Sequence, residues 1–258
     1  MNYELRNSNG RLITRLLSIS FLFLTLFLIP ACSDADKKLF DAIEDNDIET
    51  VKELIKQKID LNVVNDDGKP AIIFAVELNR RRIAELMLDT DIKCNVKDAN
   101  GTSLLMWVCN KVGSELFTLV INRGVDINDA DKDGMTPYMY AAQSSYVDAL
   151  MTLIKMGAYV NAQNNDGNTA LMLALKNNVE SDTRIIRDNK AILDIRNNDG
   201  ETALIIAAEN GLAESVQLLL EGGADKTIKD KKGRTAFSIA QKKGFNKIVE
   251  MLKDGISK

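Results

Sequence analysis

The sequence has no histidine. The commonest general base and the commonest metal ligand are therefore missing. Cysteine is scarce: three in 258 residues, too few for a disulfide scaffold or a four-thiolate zinc site. With three prolines and no Pro-rich, Gly/Ser-rich or single-charge tract, the chain shows no long disordered linker. It also lacks an excess of positive charge. The formal net charge is −4, which argues against a nucleic-acid binder relying on a large basic surface. What remains is ordinary for a globular chain of one or two domains: 45% hydrophobic and 27% charged residues. Such a chain can bury a core but is poorly equipped for catalysis.

The only long apolar run is at the start. Residues 1–15 carry Arg6, Arg11 and Arg15 against Glu4, and residues 16–29 then read LLSISFLFLTLFLI without a charge. A basic segment followed by an apolar segment of this length has the pattern of a secretory signal. As a membrane span it is short, since about 20 residues are needed. Ile29-Pro30-Ala31-Cys32 follows. It resembles the lipobox of bacterial lipoproteins, which implies removal of a signal peptide, residues 1–31, and lipidation of Cys32. A plain signal peptide cut after Ala31, or an uncleaved anchor, is the alternative. Two acyl chains hold a protein stably on a membrane where one is marginal. Residues 32–35 form the expected lipidated terminus and tether. Ser33, Asp34 and Ala35 would span roughly 10–15 Å if extended. In such lipoproteins a serine directly after the cysteine favours the outer membrane. Without residues 1–31, thirty basic residues face thirty-six acidic ones, and the net charge is about −6.

The remainder is periodic. Gly68, Gly101, Gly134, Gly167, Gly200 and Gly233 are each 33 residues apart. Before them stand Asp67, Asn100, Asp133, Asp166, Asp199 and Lys232, mostly the Asp-Gly and Asn-Gly pairs of tight turns. Two residues after five of the glycines comes a hydroxyl suited to a helix N-cap: Ser103, Thr136, Thr169, Thr202 and Thr235. Seven residues after each glycine is a small or medium apolar residue: Ala75, Val108, Ala141, Ala174, Ala207 and Ala240. Such residues let neighbouring helices approach closely. A second apolar stripe follows, as in Val216-Gln217-Leu218-Leu219-Leu220, closed by Gly223-Ala224-Asp225. Each unit reads turn, short helix, loop, longer helix. One unit cannot bury its apolar face alone, but stacked units can.

These residues resemble the ankyrin repeat, whose signature is G-x-T-P-L-H-x-A-A followed by L-L-x-x-G-A-D-V-N. Gly134-Met135-Thr136-Pro137-Tyr138 with Gly157-Ala158-Tyr159-Val160-Asn161 match best. The resemblance covers residues 36–258. It implies an all-α solenoid of helix-turn-helix units with short β-hairpin turns. About seven units are expected, starting near residues 36, 68, 101, 134, 167, 200 and 233, the first and last acting as caps. The signature histidine is replaced by Ile73, Met106, Met139, Met172, Ile205 and Ser238. The unit from Gly167 carries Thr183 and Arg187 at positions expected to be apolar, and Lys190 in place of the closing glycine. A weak unit in a one-dimensional array is a fraying point or hinge. The unit from Gly68 has Asp91 at its closing position.

Candidate chemistry is sparse. Asp129-Ala130-Asp131-Lys132-Asp133-Gly134 begins like a calcium loop, but its twelfth position is Tyr140 where a bidentate glutamate is required. The Asp/Asn pattern recurs at every turn, so turn chemistry explains it. Cys94 and Cys109 occupy registers that are apolar in other units and read as buried thiols; a disulfide between them is the alternative. No pair of carboxylates stands apart from the turns. No catalytic residue, metal or cofactor is assigned, and the chain is not expected to be an enzyme.

The binding candidates lie in one register. Phe74, Trp107 and Tyr140 each stand six residues after a glycine. In the ankyrin family this position lies toward the concave side. Trp and Tyr are favoured interface anchors. Leu173, Ile206 and Ile239 continue the register, so a plain core row is the competing reading. The family's usual contact positions here hold Glu77, Asn110, Lys111, Gln143, Ser144, Lys176 and Asn177. The last unit presents Lys229, Lys231, Lys232, Arg234, Lys242 and Lys243, either a solvated cap or a dock for an acidic protein or anionic lipid. The expectation is a non-enzymatic interaction module, lipid-anchored in a bacterial envelope. It would bind a protein or peptide by its concave face, without nucleic acid or metal. A structural tether, or an accessory factor for an envelope enzyme, is the alternative.

Overall fold

A computed structural model describes residues 33–110 and 114–253. The apolar run, Cys32 and Lys111 lie outside the described residues. The helices come in consecutive pairs: α1 (Asp34–Glu44) and α2 (Ile48–Lys56), α3 (Ala71–Glu77) and α4 (Arg81–Leu88), α5 (Leu104–Asn110) and α6 (Ser114–Ile121), α7 (Pro137–Gln143) and α8 (Val147–Lys155). Next are α9 (Ala170–Lys176) and α10 (Ser181–Asp188), α11 (Ala203–Asn210) and α12 (Ala213–Glu221), α13 (Ala236–Lys243) and α14 (Asn246–Lys253). Helices of 7 to 11 residues are marginal alone in water. Here they are held by stacking. Odd-numbered helices pack on one another in one layer and even-numbered helices in a second, with α8 and α10 scarcely touching. Among the described residues none of the helices is long and apolar enough to cross a membrane.

The sequence dictates the ends of the odd helices. Thr136, Thr169, Thr202 and Thr235 cap α7, α9, α11 and α13, each accepting the N–H three residues on. Pro137 occupies the first turn of α7, where its missing N–H has no partner to lose. Just beyond the C-terminal ends, Asn46, Asn79, Ser145, Asn178, Gly211 and Gly244 all take a left-handed conformation. They share one register of the 33-residue period. Asparagine and glycine tolerate that conformation best.

The small residues do what the spacing implies. Ala75, Ala141, Ala174, Ala207 and Ala240 are fully buried between stacked odd helices. The first helix starts earlier than expected. Ser33 is its N-cap in a reciprocal capping box with Asp36, so Asp34 and Ala35 are helical and not an extended link.

The turns carry only short elements of hairpin pairing. Among the described residues there is no strand, only two isolated antiparallel bridges, Val64 with Pro70 and Lys97 with Ser103. Each turn is closed by a backbone pair, the N–H three residues before the glycine donating to the carbonyl one residue after it, and is braced by a side chain. Asn65, Asp98, Asp131, Asn164, Asn197 and Asp230, each three residues before a turn glycine, accept backbone N–H groups two and four residues on.

A second set of side chains ties units together. Oδ1 of Asn62, Asn95, Asn128, Asn161 and Asp194 accepts the backbone N–H 31 residues on. The unit with Thr183 and Arg187 is fastened in the same spirit. Thr183 is fully buried, and its hydroxyl meets that of Ser215, also fully buried, at 3.2 Å. Arg187 Nη1 donates to the carbonyl of Leu218 at 3.0 Å. Both polar residues are thus satisfied by α12, and Lys190 adopts the left-handed conformation that glycine takes in other units.

Candidate functional site

The aromatic row is built from two elements of each unit, the turn and the odd helix after it. Trp107 on α5 donates through Nε1 to Asp98 Oδ2 at 3.0 Å. One period on, the Tyr140 hydroxyl on α7 donates to Asp131 Oδ2 at 2.8 Å. The other oxygen of each carboxylate already holds its own turn. Each ring is therefore pinned at its polar tip, with its body packed against the core and only partly buried. Phe74 has no polar tip, and its turn residue is Asn65. It is held instead by an edge-on contact with Phe40, ring centres 5.7 Å apart.

The register divides along the molecule. Phe74, Trp107 and Tyr140 are half-buried, whereas Leu173, Ile206 and Ile239 are buried. The competing core reading thus holds for the later units. In the earlier ones the residues pack on the core and still present surface.

The surroundings are polar and mostly paired. Lys69 forms an ion pair with Glu77 and lies over the Trp107 ring, 5.9 Å from its centre. Ser144 donates to Asn110 Oδ1 at 2.9 Å. Gln143 is half-buried, and Lys176 and Asn177 are exposed. Burial, then the contact with Asp131, pushes the Tyr140 phenol up to about 12. That group does not titrate near neutral pH.

In the last units the same face carries a charge network. Arg234 Nε donates to Asp230 Oδ2 at 2.6 Å, and its other nitrogens lie 3.8 Å from Glu201 and 3.7 Å from Glu209. Lys243 donates to the carbonyl of Glu209. Arg234 is thus withdrawn from the lysine-rich end, where Lys229, Lys231, Lys232 and Lys242 remain exposed.

Two aspartates of the calcium-like loop are hydrogen-bonded within the fold. Asp129 Oδ1 pairs with Lys97 Nζ at 2.5 Å, and Asp131 serves its turn and Tyr140. Among the described residues no three acidic or thiol side chains converge as metal ligands would. Cys94 and Cys109 are buried free thiols, and burial pushes both up from their ordinary value.

The partners Asp98 and Asp131 escape a reading based on the glycines and their preceding residues. The signal was present. At the turn position three residues before glycine, Asp occurs where a nearby side chain has a donor to place: Trp107, Tyr140 and Arg234. Asn occurs where the aligned residue on the odd helix is Phe74, Leu173 or Ile206.

Two layers of short helices joined by repeated turns define a solenoid repeat protein. The family description for ankyrin repeats matches in three copies, over residues 39–131, 105–191 and 183–258. The chain belongs to the ankyrin-repeat family. Ankyrin repeats are protein–protein interaction modules and typically not enzymes. Comparison with curated proteins gives no match.

Proposed function

We propose that this chain is a lipid-anchored interaction module of a bacterial cell envelope. It consists of about seven units and binds a protein or peptide with the concave face formed by the odd helices and the turns. The observation that carries this reading is the division of the aromatic row. In three consecutive units the register is aromatic and only partly buried, while in the next three it is aliphatic and buried. Packing alone needs no such difference between units. Asn110, Ser144 and Gln143 give the row a hydrogen-bonding rim, and Lys176 and Asn177, both exposed, extend it.

The anchor rests on sequence: the basic start, the apolar residues 16–29 and Cys32. Ser33 after the cysteine favours the outer membrane. Because the first helix begins at Asp34, a lipid on Cys32 would hold the array against the bilayer surface.

In-cell crosslinking with capture tests the face. A partner held by the native protein should be lost from a Trp107→Ala, Tyr140→Ala double variant whose melting by circular dichroism shows it folded. A folded variant that keeps the partner overturns the concave-face reading. Metabolic labelling with an alkyne fatty acid tests the anchor: label and membrane association should both be lost in Cys32→Ala. An unlabelled native protein overturns it.

A further inference from the structure

The period makes each unit a template for the next. Lys69 places its ammonium over the ring of Trp107 and pairs with Glu77. Thirty-three residues on, the ring is Tyr140, the residue aligned with Lys69 is Thr102, and the residue aligned with Glu77 is Asn110. Thr102 is buried, short and uncharged, so the chain puts no cation of its own at that position over Tyr140.

The carboxylates are nevertheless there. Asp131 accepts the Tyr140 hydroxyl, and Asp98 lies close enough to act on it electrostatically. The described hydrogen-bond partners of Asp98 and Asp131 are turn N–H groups, the Trp107 indole and the Tyr140 hydroxyl, with no lysine or arginine side chain among them. A partly buried phenol ring backed by two carboxylates is a favourable setting for a cation: the ring face attracts positive charge and the acids add to it.

We propose that Tyr140, Asp98 and Asp131 receive an arginine or lysine side chain of the bound polypeptide, in the place that Lys69 occupies on Trp107. The inference rests on the concave-face reading and adds the chemistry of what binds there. Lys69 is the internal precedent, because it shows that this surface holds an ammonium against an aromatic ring in the preceding unit. The partner segment is one whose cation lies opposite the third and fourth units.

Trp107 is the sole tryptophan, so its emission reports from beside the site. The full chain in a non-ionic detergent is titrated with an acetylated, amidated pentapeptide carrying one central arginine. The same peptide with citrulline is the uncharged control. The arginine peptide is expected to bind at least tenfold more tightly than the citrulline peptide. Asp98→Asn with Asp131→Asn should remove that difference. Both substitutions can keep their turns, since asparagine holds the same turn at 65, 164 and 197. Thr102→Lys, which supplies an internal cation, should remove it too. Equal binding of the two peptides, absence of any titration, or a difference that survives both sets of substitutions overturns the proposal. If the peptides do not differ and Trp107→Ala, Tyr140→Ala still releases the cellular partner, the cation fails and the concave face stands.

Discussion

The indole of Trp107 and the carboxylate of Asp98 meet at 3.0 Å across nine residues of chain. This bond joins the two parts of one unit, since Asp98 shapes the turn with one oxygen and steadies the ring of α5 with the other. Asp98→Asn should keep the turn, as asparagine does in three other units, while losing the charged acceptor. The expected loss is about 1 kcal/mol, the usual net worth of such a bond. Asp98→Ala, which also frees two turn N–H groups, should lose about twice as much. Urea unfolding followed by tryptophan emission measures both. No loss in Asp98→Asn would show that the indole bond contributes nothing, and equal losses in the two variants would show that the turn bonds do not.

Two tyrosines make a sharper contrast. Tyr140 donates to Asp131 at 2.8 Å. Tyr146 is 5% exposed, packs edge-on against Phe117, and its buried hydroxyl pairs with no described residue. Removing a hydroxyl that has a charged partner costs stability, whereas removing one that was desolvated without a partner does not. Tyr140→Phe should therefore destabilise by about 1–2 kcal/mol. Tyr146→Phe should be neutral or stabilising by up to about 1 kcal/mol. Thermal melting of the two variants side by side decides the matter, and destabilisation by Tyr146→Phe would mean that its hydroxyl has a partner.

Much of this arrangement was legible in the residues. The glycines at 33-residue spacing fixed the units, the threonines two places later fixed the starts of the odd helices, and the alanines marked where those helices touch. These signals are local or strictly periodic, which is why they could be read. The bonds between side chains of different elements could not. Thr183 and Arg187 looked like faults because their partners, Ser215 and the Leu218 carbonyl, lie a whole unit away. Asn46, Asn79, Ser145 and Asn178 hide the closing of the odd helices, because only Gly211 and Gly244 display the usual glycine.

The Thr183–Ser215 pair leads to a double-mutant cycle. Thr183→Val alone leaves the Ser215 hydroxyl buried between α10 and α12 without its partner. A group stranded in this way costs about 1–3 kcal/mol. Adding Ser215→Ala removes the stranded group, so the double variant should recover most of that loss, with a coupling of about 1 kcal/mol or more. Guanidinium unfolding of the four proteins gives the coupling. A value near zero would mean that the two hydroxyls are satisfied independently.

Asp230 adds a dependence on pH. Its side chain is 1% exposed. Burial alone would raise its carboxyl, but the N–H and guanidinium of Arg234, with the N–H of Lys232, outweigh it and hold the group below the ordinary value of 3.8. A carboxyl lowered by folding stabilises the native state above its unfolded value and loses that contribution as pH falls through its folded value. Arg234 stays charged throughout. Acidification from about pH 5 to about pH 2 should therefore loosen the last unit by discharging the ion pair with Arg234, while the neutral carboxyl, like asparagine, keeps an oxygen for the turn. Asp230→Asn separates this from the general effect of acid. Asparagine can hold the turn at every pH but cannot pair with Arg234, so the variant should be weaker at pH 6 and should lose less on acidification. Hydrogen exchange of the α13 amides at the two extremes tests this. An identical acid response in the two proteins would show that Asp230 is not what fastens the last unit.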